Sequence, residues 1–417
     1  MRIATAAASL LLLAGCAGNV EPLPASFAIR DRTIWAGTEI VVESPAFVGL
    51  ERAPRIRMGG EWLPVEREAE DAFAAAVPVT ASGTYAVGIE MDGAPESLPP
   101  VEVAGLTEAK QYAAYFGLDL QVFPGSGHAT IMGGTHRPGD AVDGRLSLFD
   151  LDTGTERALT GPGYDFLGLR GPGGSFRPGV YFGQFGDSVL PFRVDGSGVT
   201  MLDEPPLEIS RQVIEVGPGT FVRTSHHTVH SSTEFFRIEE TEGVVISHRA
   251  GRATIQADGI GPDGFPVFSL PDGGVAYTLM DVAHPNAVDF SPDGELLAIS
   301  ERPPSDIVLR TFRAADGTLL RSRPLPGYPF ALAFDPERPL LYVGVNGLSD
   351  DFGVPTLLVL DRETLETVGT LSAEGSGLAC IDDCYKAVIA VSAEPAVYIA
   401  ASWNFPLLSF RFALPPD

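Results

Sequence analysis

The sequence predicts an all-β chain in two parts, a small sandwich followed by a ring of repeated four-stranded units. Three observations carry this. Gly (47) and Pro (35) are abundant, as expected where many short strands are joined by turns. Beyond the N-terminal segment, no apolar pattern of helical period runs for a convincing length. From about residue 105 a strand–turn–strand unit recurs, with Phe290 and Phe334 at matching positions 44 residues apart.

The chain begins with Arg2 and a short apolar run, Ala6 to Gly15, the layout of an export signal. The run is too short to span a bilayer. Residues 1–15 read as a signal peptide, and 16–24 (CAGNVEPLP), small, polar and proline-bearing, as a tether. An ordinary signal peptide ending near a cysteine is the alternative. Leu13-Ala14-Gly15-Cys16 resembles the bacterial lipobox. That resemblance implies that Cys16 is lipidated and becomes the mature N-terminus. With Ala17 following it, the resemblance also implies an outer-membrane lipoprotein of a Gram-negative bacterium, facing the periplasm or the surface.

Residues 25–104 read as a small β-sandwich. Thr38–Ser44 alternates in polarity, and short strand-like pieces follow at 55–58, 59–65, 73–78 and 83–90, with Gly and Pro between them. Five pieces resemble the immunoglobulin-like IPT/TIG family: Gly37-Thr38-Glu39-Ile40-Val41-Val42, Ser44-Pro45-Ala46-Phe47, Met58-Gly59-Gly60, Ala76-Val77-Pro78 and Gly83-Thr84-Tyr85-Ala86-Val87. The resemblance implies an Ig-like domain acting as a spacer or adhesive module, not as an enzyme.

Residues 105–417 carry the repeat. Asn286–Ser300 reads strand, Ser-Pro-Asp-Gly turn, strand. Pro presets the first turn torsion, and Asp-Gly supplies a side-chain bond and a permissive backbone. Four strands in a 44-residue step is the β-propeller period. Blades are expected near 125–160, 164–204, 208–248, 250–283, 285–325, 328–371 and 385–412, a seven-bladed β-propeller. The last shows three strands, and the piece 115–123 is expected to supply its fourth, which removes exposed ring edges. His284–Gly294 also resembles the YVTN and lactonase-like seven-bladed propellers. That resemblance supports the fold and assigns no catalytic residue, because function belongs to sites on a fold.

The formal charge is −26, which repels nucleic acid and anionic headgroups. A nucleic-acid partner is excluded on this basis, and membrane attachment falls to the N-terminal lipid. Only Lys110 and Lys386 could serve lysine chemistry. Apart from Cys16, the cysteines are Cys380 and Cys384. An extended strand holds such a pair about 13 Å apart, too far for a disulfide. A turn through Asp382-Asp383 brings them into range, and an oxidising periplasm favours the bond. A metal pair is the alternative, with no His or third Cys close in sequence.

The candidate sites are sparse. In Ser225-His226-His227-Thr228-Val229-His230, a strand would turn His226 and His230 to one side, where Glu234 or His248 could add a metal ligand; a polar blade edge is the plain reading. Asn346–Gly353 carries Asp350-Asp351, which calcium or simply solvent would accept. His128, His136, Arg137 and Asp140 lie in a Gly-rich stretch and match no enzyme motif. Nucleophile elbows, phosphate loops, dinucleotide fingerprints and zinc-protease motifs are all missing from the sequence. Trp35, Trp62 and Trp403 read as core. No cofactor is expected. The expectation is a monomeric lipoprotein whose propeller binds a protein or an envelope polymer without catalysis. The alternative is a lactonase-like or other hydrolase using the central funnel.

Overall fold

The computed structural model describes residues 27–115, 119–123, 128–132, 146–150, 152–153, 155–158, 180–185, 188–195, 198–203, 212–217, 220–225, 228–231, 243–247, 249–256, 264–270, 274–301, 306–346, 356–372, 387–392, 396–401 and 406–412. The chain is all-β: a small Ig-like sandwich, then a β-propeller.

The sandwich has two sheets. One runs Ala28–Ile29, Glu39–Glu43, Ala72–Ala76, Val65–Ala69; the other Thr33–Trp35, Ala94–Ala104, Gly83–Met91, Arg55–Met58, Glu61–Leu63. Period-2 alternation decides what they bury. Ile40 and Val42 face inward with Ile56, Met58, Val101 and Val103. Ser44-Pro45-Ala46-Phe47 works as expected of a turn that delivers an aromatic. The Ser44 hydroxyl accepts from the Ala46 amide at 3.2 Å, and Pro45 opens a short 3-10 turn. Phe47 then drops into the core edge-on to Phe73, ring centroids 5.0 Å apart.

Seven further sheets follow among the described residues: 119–158, 180–201, 212–231, 243–279, 285–324, 328–372, and a last one made of 387–412 with Leu106–Tyr115. We number them blades 1 to 7. Blades 2 and 3 show three described strands and the others four. Each four-stranded blade between 119 and 372 is a plain antiparallel meander, its strands in chain order. The first strands of blades 4 to 7 lie side by side in order, blade 7's first strand, Ala387–Ser392, lies beside blade 1's, Asp119–Phe123, and those of blades 2 and 3 adjoin. Blade contacts that run from 4 through 7 to 1 are those of a closing ring.

Two strands differ from expectation. Leu106–Tyr115, not 115–123, pairs antiparallel with Pro406–Phe412 and completes blade 7, while Asp119–Phe123 becomes the innermost strand of blade 1. The closing strand follows the sandwich with only Gly105 between, so the chain enters the ring as soon as it leaves the sandwich. Gly243–Ser247, expected to end blade 3, instead opens blade 4. It forms a hairpin with Arg252–Gln256, the turn carrying Gly251 at a positive φ of 62°.

Candidate functional site

In an antiparallel meander, connections alternate between the two ends of a blade. The first-to-second and third-to-fourth connections leave at one end; the second-to-third and the crossing to the next blade leave at the other. All blades present the same end to the same side only if their inner strands run in one direction. Two hydrogen bonds show that they do at blades 5 and 6. Asn286, early in its strand, donates to the Pro329 carbonyl, early in the next. Asp289, late in its strand, accepts from the Phe334 amide, late in the next, at 2.9 Å.

The propeller therefore has a turn face and a connection face. On the turn face of the four-stranded blades, the connections are short: 124–127, 151–155, 248–251, 270–274, 291–295, 314–318, 335–339, 362–366 and 393–395. Aspartates lock many of them. Asp150 accepts from the amides of Asp152 and Thr153, Asp335 from Glu337 and Arg338, and Asp361 from Glu363 and Thr364. Asp293 and Asp316 accept from Glu295 and Thr318, and the Thr318 hydroxyl and amide hold the Asp316 carboxyl down at about 2. Part of the acidity of this chain is turn chemistry.

The described strands that flank the longer intervals of those blades, among them 133–145, 257–264, 302–307, 347–355 and 373–386, end and begin on the connection face. Its described floor is fixed between blades 4 and 5. Glu301, 1% exposed, ends the second strand of blade 5 and pairs with Arg310. Glu301 also accepts from the Ala283 amide at 3.0 Å, and Arg310 donates to the Asp281 carbonyl at 2.9 Å. This ion pair pins the crossing 280–284 to blade 5. At the connection-face ends of their strands Met280 is 67% exposed and Tyr328 41% exposed, and at the turn-face ends Val275 and Leu319 are exposed as well. Apolar and aromatic side chains held in water on a rigid floor suit association with another molecule.

The sequence candidates fall unevenly on this frame. Cys16, Cys380, Cys384, His226, His136, Arg137, Asp140, His248, Glu234 and residues 347–353 lie outside the described residues. The strands flanking 373–386 end and begin on the connection face. Thr220–Ser225 and Thr228–Ser231 pair antiparallel with Ser225 opposite Thr228, and His230 stands opposite Arg223. His128 opens a blade 1 strand opposite Phe123 and Asp150. Among the described residues, no group of three His, Cys, Asp or Glu side chains has the geometry to hold a metal ion, and no helix is long and apolar enough to cross a membrane. Lys110 donates to the Asp152 carbonyl at 2.9 Å. Trp35 is half-buried, packed against the core of blades 6 and 7, Trp403 lies outside the described residues, and Trp62, expected in the core, is 43% exposed under the Arg55 guanidinium, 3.9 Å from the ring centroid.

Asp289 went unforeseen. It sits in an inner strand whose six residues are all buried. Burial pushes its carboxyl up to about 7, against the pull of the Phe334 and Phe290 amides. The one available signal was an acid inside Ala-Val-Asp-Phe, an otherwise apolar inner strand.

No protein-family model matches the chain, and no curated protein matches it. Solved structures are similar in fold. A chain of a mitotic checkpoint complex shares 12% identity and a TM-score of 0.49, over 73% of this chain and 94% of that one. The β-propeller domain of Myceliophteria thermophila Cps50 (Swd1) shares 12% identity and a TM-score of 0.48, over 73% and 99%. A protein of unknown function from Bacteroides thetaiotaomicron shares 10% identity and a TM-score of 0.41, over 94% and 99%. At these values the likeness concerns shape alone, and the fold assigned to this chain rests on its strand order.

Proposed function

We propose that the chain is an exported lipoprotein, held at the outer membrane by an acylated Cys16, whose propeller binds a protein or an envelope polymer through the connection face. One observation carries the binding site: the strand ends that flank the longer links of the four-stranded blades lie at one end of the ring, while short aspartate turns close the other. A scaffold with one face of short turns and one of longer links places its loop chemistry where a partner can reach it. A non-enzymatic role is favoured because the buried acids of blades 5 and 6 are engaged in structure. Asp289 is held by two amides, Asp335 by the Tyr342 hydroxyl and Arg338, and Glu301 by Arg310 and the Ala283 amide.

The Leu13-Ala14-Gly15-Cys16 stretch supports the anchor, the five quoted pieces of 25–104 support an IPT/TIG-like domain, and the spacing of Cys380 and Cys384 in an exported chain supports a disulfide. Cys16→Ser is expected to abolish acylation, read as loss of the acyl mass and release from the membrane fraction. For binding, the soluble 17–417 form is used to capture partners from envelope extract. Met280→Glu with Tyr328→Glu is expected to lose the captured species, while Leu319→Glu, on an exposed turn-face position, keeps it. The reverse pattern sinks the connection-face reading.

A further inference from the structure

The strand register also places Phe27, the first described residue, relative to the end of the sandwich that meets the ring. The sandwich has a near pole and a far pole. At the near pole the Thr370 amide donates to the Ala36 carbonyl at 2.9 Å, and the Trp35 ring lies 5.8 Å from that of Phe412. A Cβ on Gly37 would come within 2.8 Å of the Thr370 Cβ, one on Gly369 within 2.8 Å of Trp35, and one on Gly105 within 1.9 Å of the Ala81 carbonyl oxygen. The sandwich and the outer strand of blade 6 approach closely here because Gly37 and Gly369 lack side chains, and the single residue Gly105, itself against Ala81 of the sandwich, leaves no slack for a hinge.

At the far pole, Ala28 pairs with Glu43 and Ile29 with Val42. Strand Glu39–Glu43 starts beside Gly37 at the near pole, so its Glu43 end, and with it Phe27, lies at the far one. Phe27 is fastened there, its ring 5.5 Å from Phe47. The five residues of Glu39–Glu43 set Phe27 about 15 Å from the near pole, and the hairpin end of Ala94–Ala104 reaches farther, about 30–35 Å for eleven residues of strand. The chain then enters the ring at the turn face, because Leu106 pairs with Phe412, the last residue of its strand.

We propose that the sandwich is a rigid stand-off that holds the turn face toward, and the connection face away from, whatever surface holds the N-terminus. The partner of the connection face is then a component reached from the far side, not the anchoring bilayer. This rests on the reading of Cys16 as the anchor. The charge of −26 agrees with it, since an anionic headgroup layer repels the propeller instead of seating it.

The test tethers the 17–417 chain through an N-terminal hexahistidine to vesicles containing nickel-chelating lipid and an acceptor-labelled lipid. A donor is placed at one of three exposed sites in a Cys380→Ser, Cys384→Ser background: Asp71→Cys at the far pole, Glu295→Cys on the turn face, or Asp306→Cys on the connection face of the same blade. Glu295 and Asp306 are separated by the strand Leu296–Glu301, about 20 Å. Energy transfer is expected to fall in the order Asp71, Glu295, Asp306. Transfer from Asp306 equal to or above that from Glu295 overturns the proposal. Gly369→Leu, which pushes Trp35 out of the junction, is expected to erase the difference between Glu295 and Asp306 while the propeller still melts cooperatively; an unchanged difference means the junction is not what sets the orientation. Because the tether is artificial, these outcomes do not depend on acylation. Failure of the anchor reading appears separately, as a missing acyl mass on membrane-purified chain.

Discussion

The sandwich and the ring are built from the same strands and held together differently. The sandwich folds onto one apolar core, with Ile40, Val42, Phe47, Ile56, Phe73 and Val101 closing on each other. The ring must hold separate blades at a fixed angle. Apolar packing is non-directional, so blades 5 and 6 add polar ties that do have direction. Asn286 reaches the Pro329 carbonyl, Asp289 the Phe334 amide, and Arg323 the Leu365 carbonyl and Thr367 hydroxyl; on the turn face Arg362 pairs with Asp293 at 2.7 Å. The difference teaches that a sandwich tolerates polar substitutions at its surface and fears cavities, whereas the ring is also sensitive to the loss of single buried polar groups.

The largest expected effect is on the sandwich. Phe73→Ala removes a fully buried ring and should cost about 3–5 kcal/mol, read as a lower denaturant midpoint for the sandwich transition with the propeller transition left in place. A common loss in both transitions breaks the distinction between the two cores.

Next comes Asp289. Asp289→Ala strands the amides of Phe290 and Phe334 in the interior, an expected cost of about 1–3 kcal/mol to the ring. The native residue also makes stability depend on pH. Its folded value, about 7, is raised above the ordinary 3.8, so the folded state holds a proton that the unfolded state releases first. The contribution is complete below the ordinary carboxylate value and is lost as pH rises through about 7. The propeller Tm should therefore fall between pH 5 and pH 8 by more in the native protein than in Asp289→Asn. Equal slopes show that the junction acid is ionised throughout.

The smallest effect sharpens the same contrast from outside. Arg30 bonds Glu43 at 2.8 Å and Glu68 at 2.7 Å, on the sandwich surface. These pairs are open to water and salt, so Arg30→Ala is expected to leave Tm unchanged within error. A clear drop means that surface charge, not the apolar core, holds the two edge strands.

Much of the fold was legible because short-range chemistry writes it. Ser291-Pro292-Asp293-Gly294 announces its own turn, and in the structure Ser291 donates to Asp293 at 2.6 Å while Gly294 takes φ 75°. The alternation of Glu39–Glu43 appears as the burial pattern it implies. The binding face was not legible. Nothing in the sequence around Met132 or Asn346 says that these strands end on the same side of the ring; that follows from counting strand reversals once the strands are placed. The closing strand was misjudged for a related reason. Leu106–Tyr115 and 115–123 are both strand-like, and which of them completes blade 7 depends on Pro406–Phe412, some three hundred residues away in the chain.

By itself, then, the sequence determined the local grammar: the sandwich strands, the 44-residue repeat and the aspartate turns, all readable within a few residues because turn torsions and side-chain alternation are local. Only the tertiary structure decided which strand closes the ring, that Asp289 and Glu301 are buried and engaged, and that Gly37 and Gly369 let the sandwich seat against the outer strand of blade 6. Those depend on pairings and burial across the whole chain, and neighbours distant in sequence set both.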